Sequence, residues 1–164
     1  MTDAAHDAAS ALLAGLAARG WSVAVAESLT GGLVLASLVS IPGASSSLRG
    51  GVVAYATDLK HSLLGVDADL LASEGPVHPE VAGQMAAGVR ELAAHDGVAA
   101  DVGIATTGVA GPAAQAGTPV GTVYVAVVTP AGVRVEALAL AGTRAQIRAE
   151  ATRRALEIAL AETI

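Results

Sequence analysis

The chain has 164 residues, 53% hydrophobic and 15% charged, a balance that excludes disorder and fits one globular domain over 1–164, since domains typically hold about 100 to 150 residues. A net charge of -6, with 9 Lys and Arg against 15 Asp and Glu, argues against a nucleic-acid partner, whose phosphates such a surface repels. The absence of Cys excludes disulfides, thiolate nucleophiles and Cys-ligated zinc, so any covalent nucleophile has to be an oxygen.

The first segment, Asp3 to Arg19, is rich in Ala and Leu, with Leu12, Leu13 and Leu16 at helical spacing and Gly20 where a helix stop belongs. Asp3, His6 and Asp7, with no Lys or Arg among them, do not read as a signal peptide, and a cytoplasmic location is expected. Trp21 to Ala26 predicts a strand. Thr30-Gly31-Gly32 then opens a helix through Val39, which Ile41-Pro42-Gly43 terminates.

Gly51 to Tyr55 predicts a second strand, followed by short helices over Asp58–Leu64 and Asp67–Ala72. Pro79 suits a helix N1 position after His78, with Glu80 in the first turn and the helix running to about Ala94. Val102–Thr106, Gly121–Val128 and Val133–Leu140 predict three more strands, the last two joined by a hairpin at Thr129-Pro130-Ala131-Gly132. A final helix spans Arg144 to about Ala161. Apolar runs such as Val123–Val128 fall far short of the roughly 20 residues a membrane span requires, so no membrane partner is expected.

Strands interleaved with helices, several of them continuously apolar, predict an α/β fold. The expected architecture is a three-layer α/β/α sandwich around a mixed, mostly parallel sheet of about five to six strands. In such sheets ligands bind beyond the carboxyl ends of the strands. Ser28 follows the first strand directly, and the glycines after it lead into a helix. Ser28 could be a nucleophile, the loop could cradle a phosphate with backbone N–H groups, or Thr30 could simply cap the helix while the glycines form a tight turn.

Tyr55 and Lys60 stand at the end of the second strand and just beyond it. Their spacing does not match the Tyr-x-x-x-Lys helix face of short-chain dehydrogenases. A lysine beside an apolar strand can lose its proton through desolvation and then take one from a serine hydroxyl; alternatively Lys60 is a solvated charge and Tyr55 an edge-strand aromatic. Thr106-Thr107-Gly108 ends the third strand, and the loop through Gly111-Pro112 suits binding of oxygen or phosphate by backbone amides, or is an ordinary Gly/Pro turn. Arg144 and Arg148, four apart, present two cations on one helix face, for a ligand or for surface salt bridges. The four His residues are dispersed without ligand spacing, so no metal is expected.

Taken together, A-E-S-x-T-G-G, P-G-A-S, G-G-V-V-x-Y-x-x-x-x-K-x-x-L-L-G-V, T-G-x-A-G-P and P-V-G-T-V resemble the C-terminal domain of the CinA, or competence-damage-inducible, family over nearly the whole chain. The resemblance implies nicotinamide-nucleotide amidohydrolase activity, which converts nicotinamide mononucleotide to nicotinic acid mononucleotide and ammonia. Relatives with an additional N-terminal domain are longer, so the chain resembles the standalone enzyme. By position, the resemblance implies Ser28 as nucleophile, Lys60 as its general base and Tyr55 as an orienting partner. It also implies Thr30, Gly31, Gly32, Ser45, Thr107, Gly108 and Gly111 as binding or oxyanion-hole elements, and Arg144 as a phosphate ligand.

The scheme needs no metal or organic cofactor, and a small-molecule nucleotide is the expected partner. A homo-oligomer, expected as a dimer, would cover part of so apolar a surface. Three positions depart from the family pattern: Leu29 replaces a common Cys, His78 replaces a Ser before a helix, and Ala113 to Thr118 replaces a glycine-rich stretch with a Lys. A non-catalytic nucleotide-sensing or protein-interaction module, and an amidohydrolase for another small amide, are the alternative readings.

Overall fold

A computed structural model describes residues 3–164. It contains five strands, β1 (Val23–Glu27), β2 (Leu48–Val53), β3 (Val102–Gly108), β4 (Thr122–Thr129) and β5 (Gly132–Ala139). Its six α-helices are α1 (Asp3–Arg19), α2 (Leu33–Val39), α3 (Thr57–Leu64), α4 (Ala68–Glu74), α5 (Pro79–Leu92) and α6 (Arg144–Ala161). Among the described residues no helix is long and apolar enough to cross a membrane.

The strands form one mixed sheet in the order β2-β1-β3-β4-β5. β1 pairs in parallel with β2 and β3, whereas β4 runs antiparallel to both β3 and β5. Only β4 therefore opposes the common direction. The β4–β5 hairpin closes with Thr129 opposite Gly132, leaving Pro130-Ala131 as the turn. Proline fits there because it has no N–H to give the ladder.

Alternation along the strands assigns a different grain to each face. Val23, Val25, Val102, Ile104, Val123, Val125 and Val127 point toward α1, α2 and α6, where Leu12, Leu16, Leu38, Ile147 and Leu156 complete a bulky aliphatic core. Ala24, Ala26, Ala105 and Ala126 point the other way, against Val81, Met85 and Val89 of α5 and Leu64 of α3. Small residues on this second face let α5 lie close to the sheet. The same economy joins α5 to α3: a Cβ on Gly88 would run into the carbonyl of Leu64, the last residue of α3.

Register aligns the carboxyl ends of the parallel strands. Glu27 stands opposite Val53 on one side and Thr106 on the other. The ladder continues one step further, with the Ser28 N–H donating to the Thr106 carbonyl and the Ala54 N–H to the Glu27 carbonyl. Ser28, Ala54 and Thr107 thus emerge side by side at one edge. There α2 and α6 also begin, each following a chain segment that leaves that edge.

Candidate active site

The turn that carries Ser28 is built on a buried carboxylate. Glu27, fully buried as the last residue of β1, accepts hydrogen bonds from the N–H groups of Gly32 (2.8 Å), Val34 (3.2 Å) and Leu35 (2.8 Å). It thereby satisfies the free amides at the start of α2, which would otherwise attract an external anion. The Gly31 N–H donates to the Ser28 carbonyl and the Leu33 N–H to the Thr30 carbonyl. Gly31 and Gly32 both take positive φ, 61° and 97°, which lets the chain fold back within these few residues.

This geometry corrects several expectations. The amides of Gly31 and Gly32 are already committed within the protein, so neither is a phosphate cradle. Thr30 is fully buried, its hydroxyl 2.7 Å from that of Thr106, and it neither caps α2 nor lines the cleft. The helix begins at Leu33 with Gly32 as its cap residue. Ser45 lies in a 3-10 turn, Ala44–Ser46, ahead of β2 and at the opposite end of the sheet, facing a separate depression.

Lys60 comes to Ser28 from α3. After β2 the chain turns at Ala54 and enters α3, whose buried face carries Lys60 with only 1% of its surface exposed. The Lys60 Nζ donates to the Ala54 carbonyl at 2.7 Å and lies 3.2 Å from the Ser28 Oγ. Burial pulls its pKa from 10.5 down to about 8, with desolvation as the cause. A neutral amine is therefore accessible near physiological pH. Ser28 itself is 8% exposed and opens onto the cleft.

The cleft, a cavity of about 150 Å³, is walled by Ser28 and Leu29, by Lys60 and Thr57 of α3, and by Thr107 to Gly111. Pro76 and Val77 form a wall that the sequence motifs did not mark. The Thr107 hydroxyl ties that wall down by donating to the Pro76 carbonyl at 2.6 Å. Ala113 and Gln115 reach the rim from the segment that departs from the family pattern.

Tyr55 stands at the mouth, not beside Ser28. It is 60% exposed, and its hydroxyl accepts from Arg144 Nη2 at 3.0 Å; neither Ser28 nor Lys60 bonds to it. Arg144 also donates to the Gly111 carbonyl at 2.8 Å, linking the start of α6 to the cleft loop. Among the described residues, Lys60 and Arg144 are the charged members of the lining, which includes no carboxylate. Arg148, expected beside Arg144 on a shared face, instead points to the turn after Ser28. Its Nε and Nη2 each donate at 2.9 Å, to the carbonyls of Leu29 and Thr30. A lone Arg one helical turn from Arg144 carried no signal for that role.

Fold and site together define an α/β/α domain with a serine–lysine pair at the carboxyl edge of its sheet. The family model described as CinA C-terminal domain matches residues 5–163, and the chain belongs to that family. It is 47% identical over 143 residues to a CinA-like protein of Frankia casuarinae, covering 87% of this chain and 32% of that protein. A CinA-like protein of Gloeobacter violaceus is 45% identical over 159 residues, covering 95% and 36%. The chain thus spans about a third of the length of these curated relatives.

Solved structures match it along nearly their whole length. The competence/damage inducible protein CihA from Agrobacterium tumefaciens superposes with a TM-score of 0.91 at 32% identity, over 98% of this chain and 96% of that one. A CinA superfamily protein from Klebsiella pneumoniae gives 0.90 at 30% identity, over 97% of each chain.

Proposed function

We propose that this protein is a nicotinamide-nucleotide amidohydrolase that cleaves the carboxamide of nicotinamide mononucleotide by serine–lysine catalysis. The observation that carries the reading is the Lys60 amine, buried and 3.2 Å from the Ser28 hydroxyl. Such an amine is an oxygen nucleophile's natural base once desolvation has lowered its proton affinity.

In the reaction, neutral Lys60 takes the Ser28 proton as the Ser28 Oγ attacks the carboxamide carbon. The resulting oxyanion accepts the N–H of Leu29, which has no acceptor among the described residues and follows the nucleophile directly. Lys60 returns the proton to the amide nitrogen as the C–N bond breaks, releasing ammonia and leaving an ester on Ser28. Water then attacks the ester, Lys60 accepts its proton, and collapse frees the carboxylate product and Ser28.

The cavity is smaller than the roughly 300 Å³ typical of a complete ligand pocket, so it holds the ring carboxamide while the ribose phosphate lies across the mouth. There Arg144, unopposed by any carboxylate in the lining, meets the phosphate. Incubation with nicotinamide mononucleotide should release ammonia and nicotinic acid mononucleotide in equal amounts. Release no greater than that of a Ser28→Ala variant would refute the assignment.

A further inference from the structure

The carbonyl side of the nucleophile turn is held by a cation that the reaction scheme does not use. Arg148 Nε donates to the Leu29 carbonyl and Nη2 to the Thr30 carbonyl, each at 2.9 Å, across 119 and 118 residues of sequence. The planar fork of a guanidinium suits two successive carbonyls, whereas an ammonium has no such fixed fork. Space for it comes from Gly31: a Cβ there would lie 3.0 Å from Arg148 Nη2. Other arginines of α6 behave differently, Arg153 pairing with Glu150 and Glu157, and Arg154 with Glu136.

The amide side of the same turn is held by Glu27 through Gly32, Val34 and Leu35. A cation on the carbonyls and an anion on the amides thus grip the turn from opposite sides. In a trans peptide the N–H points away from its own C=O. Arg148 on the Leu29 carbonyl therefore fixes the plane of the Leu29–Thr30 peptide. The Gly31 N–H on the Ser28 carbonyl fixes the preceding plane, to which the Leu29 N–H belongs.

We infer that Arg148 is a positioning residue for Ser28: by holding the Leu29 and Thr30 carbonyls it keeps the nucleophile and the Leu29 N–H in the reactive geometry without touching substrate. The inference rests on Ser28 being the nucleophile, not on the identity of the amide. Loss of the fork leaves the turn to relax, and misplacement by about 1 Å costs on the order of 100-fold in rate.

The test compares Arg148→Ala and Arg148→Lys with the unaltered protein in two assays: hydrolysis of nicotinamide mononucleotide, and the rate at which a fluorophosphonate labels Ser28. Circular dichroism and thermal melting establish the folded fraction. Expected for Arg148→Ala are parallel losses of about 10- to 100-fold in kcat and in labelling rate, with KM within about two-fold. Low, non-denaturing guanidinium should restore part of both rates, and Arg148→Lys should remain impaired.

A rise in KM at unchanged kcat would make Arg148 a substrate ligand and overturn the inference. So would losses no larger than the loss of folded protein, or full activity in either variant. If the unaltered protein labels at Ser28 but hydrolyses no nicotinamide nucleotide, the substrate assignment fails, and the labelling rates still decide the role of Arg148. Failure of the unaltered protein to label at Ser28 overturns the inference together with the nucleophile assignment.

Discussion

Lys60 reaches Ser28 from a neighbouring helix with its amine anchored on a backbone oxygen: the Nζ is 2.7 Å from the Ala54 carbonyl and 3.2 Å from the Ser28 Oγ. No charged group contributes to its altered proton affinity, which burial alone pulls down to about 8. Two consequences follow for pH, one kinetic and one thermodynamic.

Hydrolysis should depend on the neutral amine. The value of kcat/KM should rise about ten-fold per pH unit below about 8 and level off above it, because only about a tenth of Lys60 is neutral at pH 7. A pH profile of kcat/KM checks this. A profile flat from pH 6 to 9 would remove Lys60 from the role of base.

Stability should move in the same direction. Below about pH 8 Lys60 is protonated in both folded and unfolded protein, and the folded state bears the full cost of a buried charge. Between about 8 and 10.5 the unfolded chain holds the proton more tightly, so stability rises with pH, and above that range the cost is gone. Lys60→Met should therefore abolish activity yet stabilise the protein at pH 7, by up to about 3 kcal/mol, with the gain vanishing near pH 10.5. Urea unfolding of both proteins at the two pH values measures the difference.

Arg144 should act on binding. Arg144→Gln removes the cation while keeping a polar side chain at the start of α6, so KM for the mononucleotide should rise about ten-fold or more with a smaller change in kcat. The dephosphorylated substrate should show almost no change. Steady-state kinetics on the two substrates separate phosphate recognition from a general disturbance of the cleft, which would raise both values alike.

Glu27 should prove structural first and kinetic second. Glu27→Gln places an amide NH2 where one of two accepting oxygens met the N–H groups of α2, at a cost of about 1 to 3 kcal/mol. Chemical denaturation gives that value. A variant as stable as the parent would show that the start of α2 holds itself without the carboxylate.

Much of this architecture was legible in the chain. The apolar runs at Val23, Val102 and Val123 predicted their strands because the sheet is covered on both faces, and Pro79, with His78 ahead of it, marked the start of α5. There the His78 ring accepts the Glu80 N–H, as a capping residue does. β2 was harder to place, since it is a glycine-containing edge strand that begins at Leu48 and ends at Val53, short of Tyr55. Edge strands bury little, so hydrophobic pattern marks them weakly.

In the site, Ser28, Lys60, Thr107, Gly108, Gly111 and Arg144 converge on one cleft, as their positions at strand ends and on α3 and α6 suggested. What the sequence hid were the supports. Glu27 caps a helix that starts six residues later, and Arg148 binds carbonyls 118 and 119 residues away. Neither obeys the short-range spacing by which caps and salt bridges are recognised. Ser45 illustrates the converse, a motif residue that the chain direction carries to the far end of the sheet.

The absent side chain at Gly88 acts as a ruler for the cleft. Because the Leu64 carbonyl occupies the space where a Cβ would project, the spacing of α5 and α3 is determined by one hydrogen atom. Lys60 rides on α3 one helical turn before Leu64, so the span between amine and hydroxyl is gauged on the buried side of the domain. Any methyl group added at that seam would press on α3 and shift the Lys60 amine relative to the Ser28 hydroxyl.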